Sequence, residues 1–474
     1  MNKKKHILPR VMIAAAASGS GKTTLTCGLL CLLKRKGYEV RSFKCGPDYI
    51  DPMFHTKILG TPSKNLDTFF AAPPLARRLF WDSARLGDLS VVEGVMGFYD
   101  GLGGTLFQAS SYDVSRVLQT PVILVVNGRG MSRSVVPLIR GFVSYQSPNP
   151  IRGVILNQVS PMMYPALKRM IEEEVHIPVY GYVPVCSQAR FESRHLGLVL
   201  PGEIRGMRKQ VESFADVLAD TLDVEGIVSL AGQAGALEVE EEEEGDVRWG
   251  TGEEQEPVRI AVARDEAFCF YYEDSLELYR RLGARLIPFS PLRDPKLPDG
   301  ISGLLLGGGY PELAARELSA NESMRADIRR AVRGGLCCRA ECGGFLYLHR
   351  ELEGEDGSWY PMAGVLPSRA FRTNRLGRFG YLTLEARTSG TFLHAGEQVK
   401  AHEFHYWDSE ENGDACIARK PVGNRSWDCM IQEGNLLAGF PHLYEASSPW
   451  LAKRFVDACR RRQQTERENK RNKR

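Results

Sequence analysis

Hydrophobic and polar positions change over in blocks along this chain. Short apolar or β-branched runs at residues 7–15, 39–43, 89–93, 121–127, 152–156 and 179–183 read as strands. Longer stretches of helical period separate them, and one of these, residues 23–36, stops at Gly37. Apolar runs divided by helices predict parallel strands covered on both faces. The pattern breaks between Gly232 and Pro257. There Glu238, Glu240, Glu241, Glu242, Glu243, Glu244 and Asp246 make an acidic, low-complexity run. Its charges repel and it has little apolar surface to bury, so it predicts an exposed linker. Alternation then resumes, with strands at 259–263, 285–289 and 303–306 and helices at 273–282 and 322–332. Segments 380–385 and 399–406 read as antiparallel additions. The fold class is two-domain α/β. Residues 1–231 form a doubly wound, mostly parallel domain, 232–257 the linker, 258–459 a further α/β domain and 460–474 a basic, solvated tail.

Composition narrows the chemistry. The chain has 474 residues, 43% hydrophobic and 25% charged, with a net charge of +3. That is the mix of a soluble globular protein, and no strong field calls for nucleic acid or a membrane surface. No apolar stretch is long enough to span a bilayer. The basic start, Met1 to His6, leads straight into a strand and not into a targeting segment. Eleven scattered cysteines point to a reducing cytoplasm. Cys337, Cys338 and Cys342 make no paired CxxC framework, which argues against zinc.

Two motifs carry chemistry. Ser18-Gly19-Ser20-Gly21-Lys22-Thr23-Thr24 lies between a strand and a helix, as a phosphate loop does. The glycines let backbone N–H groups approach phosphate oxygens; Lys22 meets the terminal phosphates and Thr23 can hold Mg²⁺. The strict pattern has glycine where Ala16 stands. Acidic turns follow two later strands: Lys44-Cys45-Gly46-Pro47-Asp48-Tyr49-Ile50-Asp51-Pro52, and Glu93-Gly94-Val95-Met96-Gly97-Phe98-Tyr99-Asp100-Gly101. Strand C-terminal ends are where open α/β sheets bind ligands. Carboxylates beside a triphosphate need a divalent ion between them, so Asp48 and Glu93 are Mg²⁺ ligand candidates. Asp48, Tyr49, Glu93 and Asp100 are candidates for substrate contact. Simple turn chemistry is the alternative for each acid.

The other motif is Arg339-Ala340-Glu341-Cys342-Gly343-Gly344-Phe345, read as strand, tight turn and helix. A cysteine on such a turn is exposed as a nucleophile, and the helix N-terminus favours its thiolate. A base must take the thiol proton. His442 is one candidate; His402 and His405 are rivals, and spacing does not choose between them. Gly307, Gly308 and Gly309 end another strand. Gly308, Gly309 and Gly343 can offer N–H donors to an oxyanion.

With these residues in view, the chain resembles the cobyrinic acid a,c-diamide synthase family over nearly its whole length, to about Leu451. The N-terminal half resembles a dethiobiotin-synthetase type of P-loop domain. The C-terminal half resembles a class I, triad-type glutamine amidotransferase. The resemblance is carried by both motifs above, by both acidic turns, and by Arg129-Gly130-Met131-Ser132-Arg133-Ser134, Arg194-His195-Leu196-Gly197-Leu198, Gly307-Gly308-Gly309-Tyr310-Pro311-Glu312 and His402-Glu403-Phe404-His405-Tyr406. It implies that Cys342 is the glutaminase nucleophile and that His442 activates it. It also implies that Lys22 and Thr23 bind ATP and Mg²⁺, and that Asp48, Glu93 and Asp100 serve metal and substrate. The implied reaction is amidation of the a and c acetates of cobyrinic acid in cobalamin biosynthesis, by ATP and L-glutamine, through an acyl phosphate and channelled ammonia. Hydrogenobyrinic acid and nickel-sirohydrochlorin remain alternative rings. A regulatory module with a retired thiol site is the non-enzyme alternative. Arg129, Arg133 and Arg194 are candidates for ring carboxylates or for structural ion pairs. Homodimerisation stays open. Three positions depart from the family pattern: Ala15 for glycine, Asn127 for aspartate and Tyr444 for histidine.

Overall fold

The computed structural model describes residues 3–189, 201–240 and 256–471. The chain divides into two compact units, Met1–Glu243 and Glu244–Arg474.

In the first unit a strand β1 (Lys3–His6) precedes β2 (Arg10–Ala15), β3 (Val40–Cys45), β4 (Ser63–Leu66), β5 (Leu89–Glu93), β6 (Val122–Asn127), β7 (Ile151–Asn157), β8 (Val179–Val183) and β9 (Leu237–Glu240). Seven of these form one sheet in the order β4-β3-β5-β2-β6-β7-β8, every pair parallel. The side-chain period of two divides β2 between two cores: Met12 and Ala14 face one, Val11, Ile13 and Ala15 the other. Burying an aliphatic side chain of this size is worth about 1.5–3 kcal/mol. A sheet apolar on both faces therefore requires helices on both.

The structure departs from the sequence pattern at two points here. The strand expected over 7–15 begins only at Arg10, and the basic start before it carries a strand of its own: β1 pairs antiparallel with β9, Lys3 opposite Glu240. Hence Leu237–Glu240, expected to be linker, belongs to a sheet: Leu237 and Val239 are buried and pack in the first core. Residues 241–246 of the acidic run, and Arg194 to Leu198, lie outside the described residues.

The second unit has a six-stranded sheet. Its parallel strands are β10 (Val258–Ala263), β11 (Ala284–Phe289), β12 (Gly303–Leu306), β13 (Cys337–Glu341) and a late strand, Leu436–Gly439. An antiparallel edge, Ile431–Glu433, closes it. A five-stranded antiparallel sheet contains Phe379–Ala386, Gln398–Phe404 and His442–Leu443. The basic tail expected over 460–474 continues the last helix, Pro449–Arg471, whose buried residues Leu451, Phe455, Val456 and Cys459 lie before it. Among the described residues, no helix is long and apolar enough to cross a membrane.

Candidate active sites

In the first unit the phosphate loop leaves the central strand β2 and enters the helix Lys22–Arg35. Gly19 and Gly21 take φ of 74° and 90°, open to glycine at little cost. Gly21 is the helix N-cap and brings no side chain to its first turn, which also holds no acid. Such a terminus presents N–H groups and a positive dipole end to an anion. A Cβ on Gly21 would lie 2.3 Å from Asn157 Nδ2. Asn157, at the end of β7, donates to Ser20 O at 2.8 Å and so holds the loop from the side. Its place at the end of an apolar strand is the signal the sequence offers, but no motif marks it. A cavity of about 380 Å³ opens here, lined by Gly19, Gly21, Thr24, Arg129, Asn157 and Phe214 among others.

Lys22 donates to the carbonyl of Met96. Burial, then the neighbouring Lys44, lowers its pKa to about 8. Thr23 donates to Glu93 and reaches Asp51 at 3.4 Å. Beneath them lies a buried charge cluster. Lys44 Nζ is 2.7 Å from Glu93 Oε1 and also pairs with Asp51. His55 Nε2 stands 3.4 Å from Glu93 Oε2, and its Nδ1 meets Ser42 Oγ at 2.8 Å. Burial by itself would raise the Glu93 carboxyl, but Lys44 and His55 outweigh it and hold Glu93 well below the usual carboxylate range. Asp51 is pushed up, by burial and then by Glu93.

The acids thus fall into two layers. Glu93 and Asp51 sit under Thr23. Asp48 is half-buried at the head of the helix Ile50–Lys57, where its Oδ1 accepts from Ile50 N at 2.9 Å; Tyr49 is the N-cap. Asp100 is exposed, faces Lys22, and accepts from Gly97 N at 2.9 Å. Asp51, Lys44 and His55 join the site only through the fold, although Asp51 and Lys44 stand in the quoted turn. Thr23, Asp51 and Glu93 form an all-oxygen donor set suited to Mg²⁺, which keeps several waters and takes one or two carboxylates beside phosphate. Arg133 pairs with Glu174 at 2.8 Å, a structural ion pair.

In the second unit Cys342 follows β13 and caps the helix Gly343–Leu348. Its φ of 47° and ψ of −104° are rare for a residue with a side chain, the strain of a side chain held on a sharp turn. The turn needs its glycines: a Cβ on Gly344 would fall 2.0 Å from Leu306 O, and one on Gly343 2.9 Å from Gly309 N. Cys342 N donates to Gly439 O at 2.8 Å. Three residues on, His442 is buried against Gly308, where a Cβ would meet its Cε1 at 2.3 Å. Cys342, Gly308, Gly309, Gly343 and His442 therefore converge. Gly307 N is engaged by Tyr271 Oη at 2.8 Å.

The rival histidines are now distinguished. His402 is the cross-strand partner of His442. His405 is bonded to Glu403 at 2.7 Å and stacks on Phe440, centroids 3.8 Å apart. Tyr444 donates to Asp274 at 3.3 Å and anchors the strand end. Two expectations are corrected: Cys342 is buried and not exposed, and its thiolate is not favoured at rest. Burial, then the Glu312 and Glu403 carboxylates, push the Cys342 thiol up, and the Gly343 N–H opposes them only in part. Burial lowers His442 to about 3, with His402 and His405 adding to it. Burial thus leaves both groups neutral at rest.

A phosphate loop over buried acids, joined in one chain to an elbow cysteine with a histidine, defines an ATP-using glutamine amidotransferase. Residues 11–199 match the CobQ/CobB/MinD/ParA nucleotide binding domain and residues 259–450 the CobB/CobQ-like glutamine amidotransferase domain. A cobyrinate a,c-diamide synthase of Caldanaerobacter subterraneus subsp. tengcongensis is 40% identical, covering 94% of this chain and 98% of the relative. One from Salmonella typhimurium is 38% identical, at 95% and 98% coverage. A hydrogenobyrinate a,c-diamide synthase of Streptomyces coelicolor is 39% identical, at 96% and 98%. The chain belongs to the cobyrinate a,c-diamide synthase family.

Proposed function

We propose that this protein converts the a and c acetate carboxylates of cobyrinic acid to amides, using two ATP and two glutamine, in cobalamin biosynthesis. The observation that carries this is full-length kinship with the synthases at 38–40% identity, with both sites intact in their units. A carboxylate resists ammonia because oxide is a poor leaving group. Transfer of the γ-phosphoryl gives an acyl phosphate and ADP; ammonia displaces phosphate and leaves the amide. Lys22 and the loop N–H groups bind the phosphates and offset charge on the transferring phosphoryl. Thr23, Glu93 and Asp51, with Asp48 outside them, would hold Mg²⁺, which when bound adds positive charge at the β- and γ-phosphates. Asp48, Tyr49 and Asp100 orient the substrate.

At Cys342 the thiol passes its proton to His442 as sulfur attacks the glutamine amide. Gly308, Gly309 and Gly343 are the donors toward the oxyanion. Ammonia leaves, and water releases glutamate from the thioester. Ammonia in bulk water at pH 7 is mostly ammonium, so delivery to the acyl phosphate without release avoids that loss. The kinship with the Streptomyces coelicolor relative supports an alternative reading, the same reaction on metal-free hydrogenobyrinate. Offering each ring with ATP and glutamine, and following amide formation by mass spectrometry, tests both. Two amides on cobyrinate are expected; no amidation of any tetrapyrrole would overturn the proposal.

A further inference from the structure

The phosphate loop and the acidic turns occupy one end of the parallel sheet of the first unit, where its strands finish. A cavity of about 320 Å³ opens at the other end. Its wall includes Pro121, which precedes β6, and Pro150, which precedes β7. A strand of seven residues is about 20 Å long. This cavity is therefore separate from the one beside Asn157, at the far end of β7.

None of the residues lining it is acidic, and two are arginines, Arg116 and Arg152. Arg116 lies over the Tyr112 ring, 5.6 Å from its centroid, and Arg152 donates to the carbonyls of Asn149 and Ile151. Neither guanidinium meets a carboxylate among the described residues. Two other polar side chains of the wall are already engaged. Asn149 donates to Tyr99 Oη at 2.9 Å and to Phe142 O at 2.8 Å, and accepts from Ile151 N at 2.8 Å. Ser115 donates to Tyr112 O at 2.7 Å. Thr120 differs: it is 1% exposed, and its buried Oγ1 has no hydrogen-bond partner among the described residues. A hydroxyl left in that state is costly.

Two guanidinium groups without a counter-charge and a hydroxyl without a partner are together complementary to an oxyanion. Guanidinium forks match carboxylate and phosphoryl oxygens alike, and the hydroxyl can donate to either. The volume suits a small organic molecule better than a bare ion. Pro121, Pro148 and Pro150 supply an apolar wall for its body. We propose that Arg116, Arg152 and Thr120 bind the phosphoryl or carboxylate group of a small organic anion, at a site apart from both reaction centres.

Isothermal titration calorimetry of the full-length protein tests this, with ADP and Mg²⁺ present to fill the phosphate loop. The probes are phenyl phosphate, benzoate and neutral benzamide. At least one anion is expected to bind tenfold or more tightly than benzamide, and the tighter of the two tells a phosphoryl group from a carboxylate. Arg116→Gln and Arg152→Gln should each weaken that anion about tenfold, the loss of one charge-assisted bond. Equal binding of the three probes, no binding, or unchanged affinity in both variants would overturn the proposal. Both variants should amidate cobyrinate at the unsubstituted rate; loss of amidation would place the arginines in the synthetase reaction and overturn a separate site. If the variants fail to fold, phenylglyoxal labelling of the unsubstituted protein decides. The anion should shield Arg116 and Arg152 in peptide mass spectra, and labelling of both at the unprotected rate would overturn the site.

Discussion

Burial pushes the Cys342 thiol up and His442 down, so both side chains rest neutral. Replacing Cys342 by alanine should abolish amidation with glutamine while synthesis from high ammonium at raised pH continues. Replacing Lys22 by alanine should abolish it with either nitrogen source. Assaying both variants with both sources checks the division of labour, and loss of ammonium-driven synthesis in the cysteine variant would argue against it. Gly308 touches His442 so closely that alanine there must displace the imidazole. Glutamine hydrolysis should fall about a hundredfold, the cost of roughly 1 Å of misplacement; steady-state kinetics measure it. Lys22 and Cys342 were legible because each stands in a long local motif. Asn157 and Asp51 were not, because the residues they meet, Ser20 and Thr23, are distant in sequence.

Among elements, strand–loop–helix units were read well where one apolar strand ends in glycine-rich chemistry. β2, β5 and β13 end where the motifs begin. Helix packing left no comparable trace. Gly28, in the helix Lys22–Arg35, lies against Leu218 and Phe214 of the helix Pro201–Thr221, where a Cβ would come within 2.4 Å of Leu218 Cδ1. Gly28→Val should therefore destabilise the first unit by about 1–3 kcal/mol through overpacking, despite valine's better helix propensity than glycine's. Urea unfolding monitored by circular dichroism tests this. The short strands after residue 350 were mostly missed. They run two to four residues each, too few for a period of two to show.

For the molecule as a whole, acid is the expected weakness. His349 is buried, bonded to Phe345 O and Ser409 Oγ, and lowered by burial to about 4. With His442 it forms a neutral buried set in the second unit. Unfolded histidines take protons below about pH 6.5, whereas these two resist until about 4 and about 3. The unfolded chain then binds more protons, so stability is full above pH 6.5 and falls as pH drops toward 4. The loss from His349 is on the order of 3 kcal/mol. Thermal melts between pH 4 and 7 should show it, and His349→Gln should flatten the curve.

The sequence by itself determined the two-unit α/β order, the phosphate loop and the cysteine turn, because backbone conformation, strand period and contiguous motifs are local properties. Tertiary structure alone decided which histidine lies against Gly308, that β9 pairs with β1 across more than two hundred residues, and that Asp51, Lys44 and His55 surround Glu93. Those relations depend on which strands become neighbours. Adjacency in a sheet is set by burial over the whole chain, and no local stretch records it.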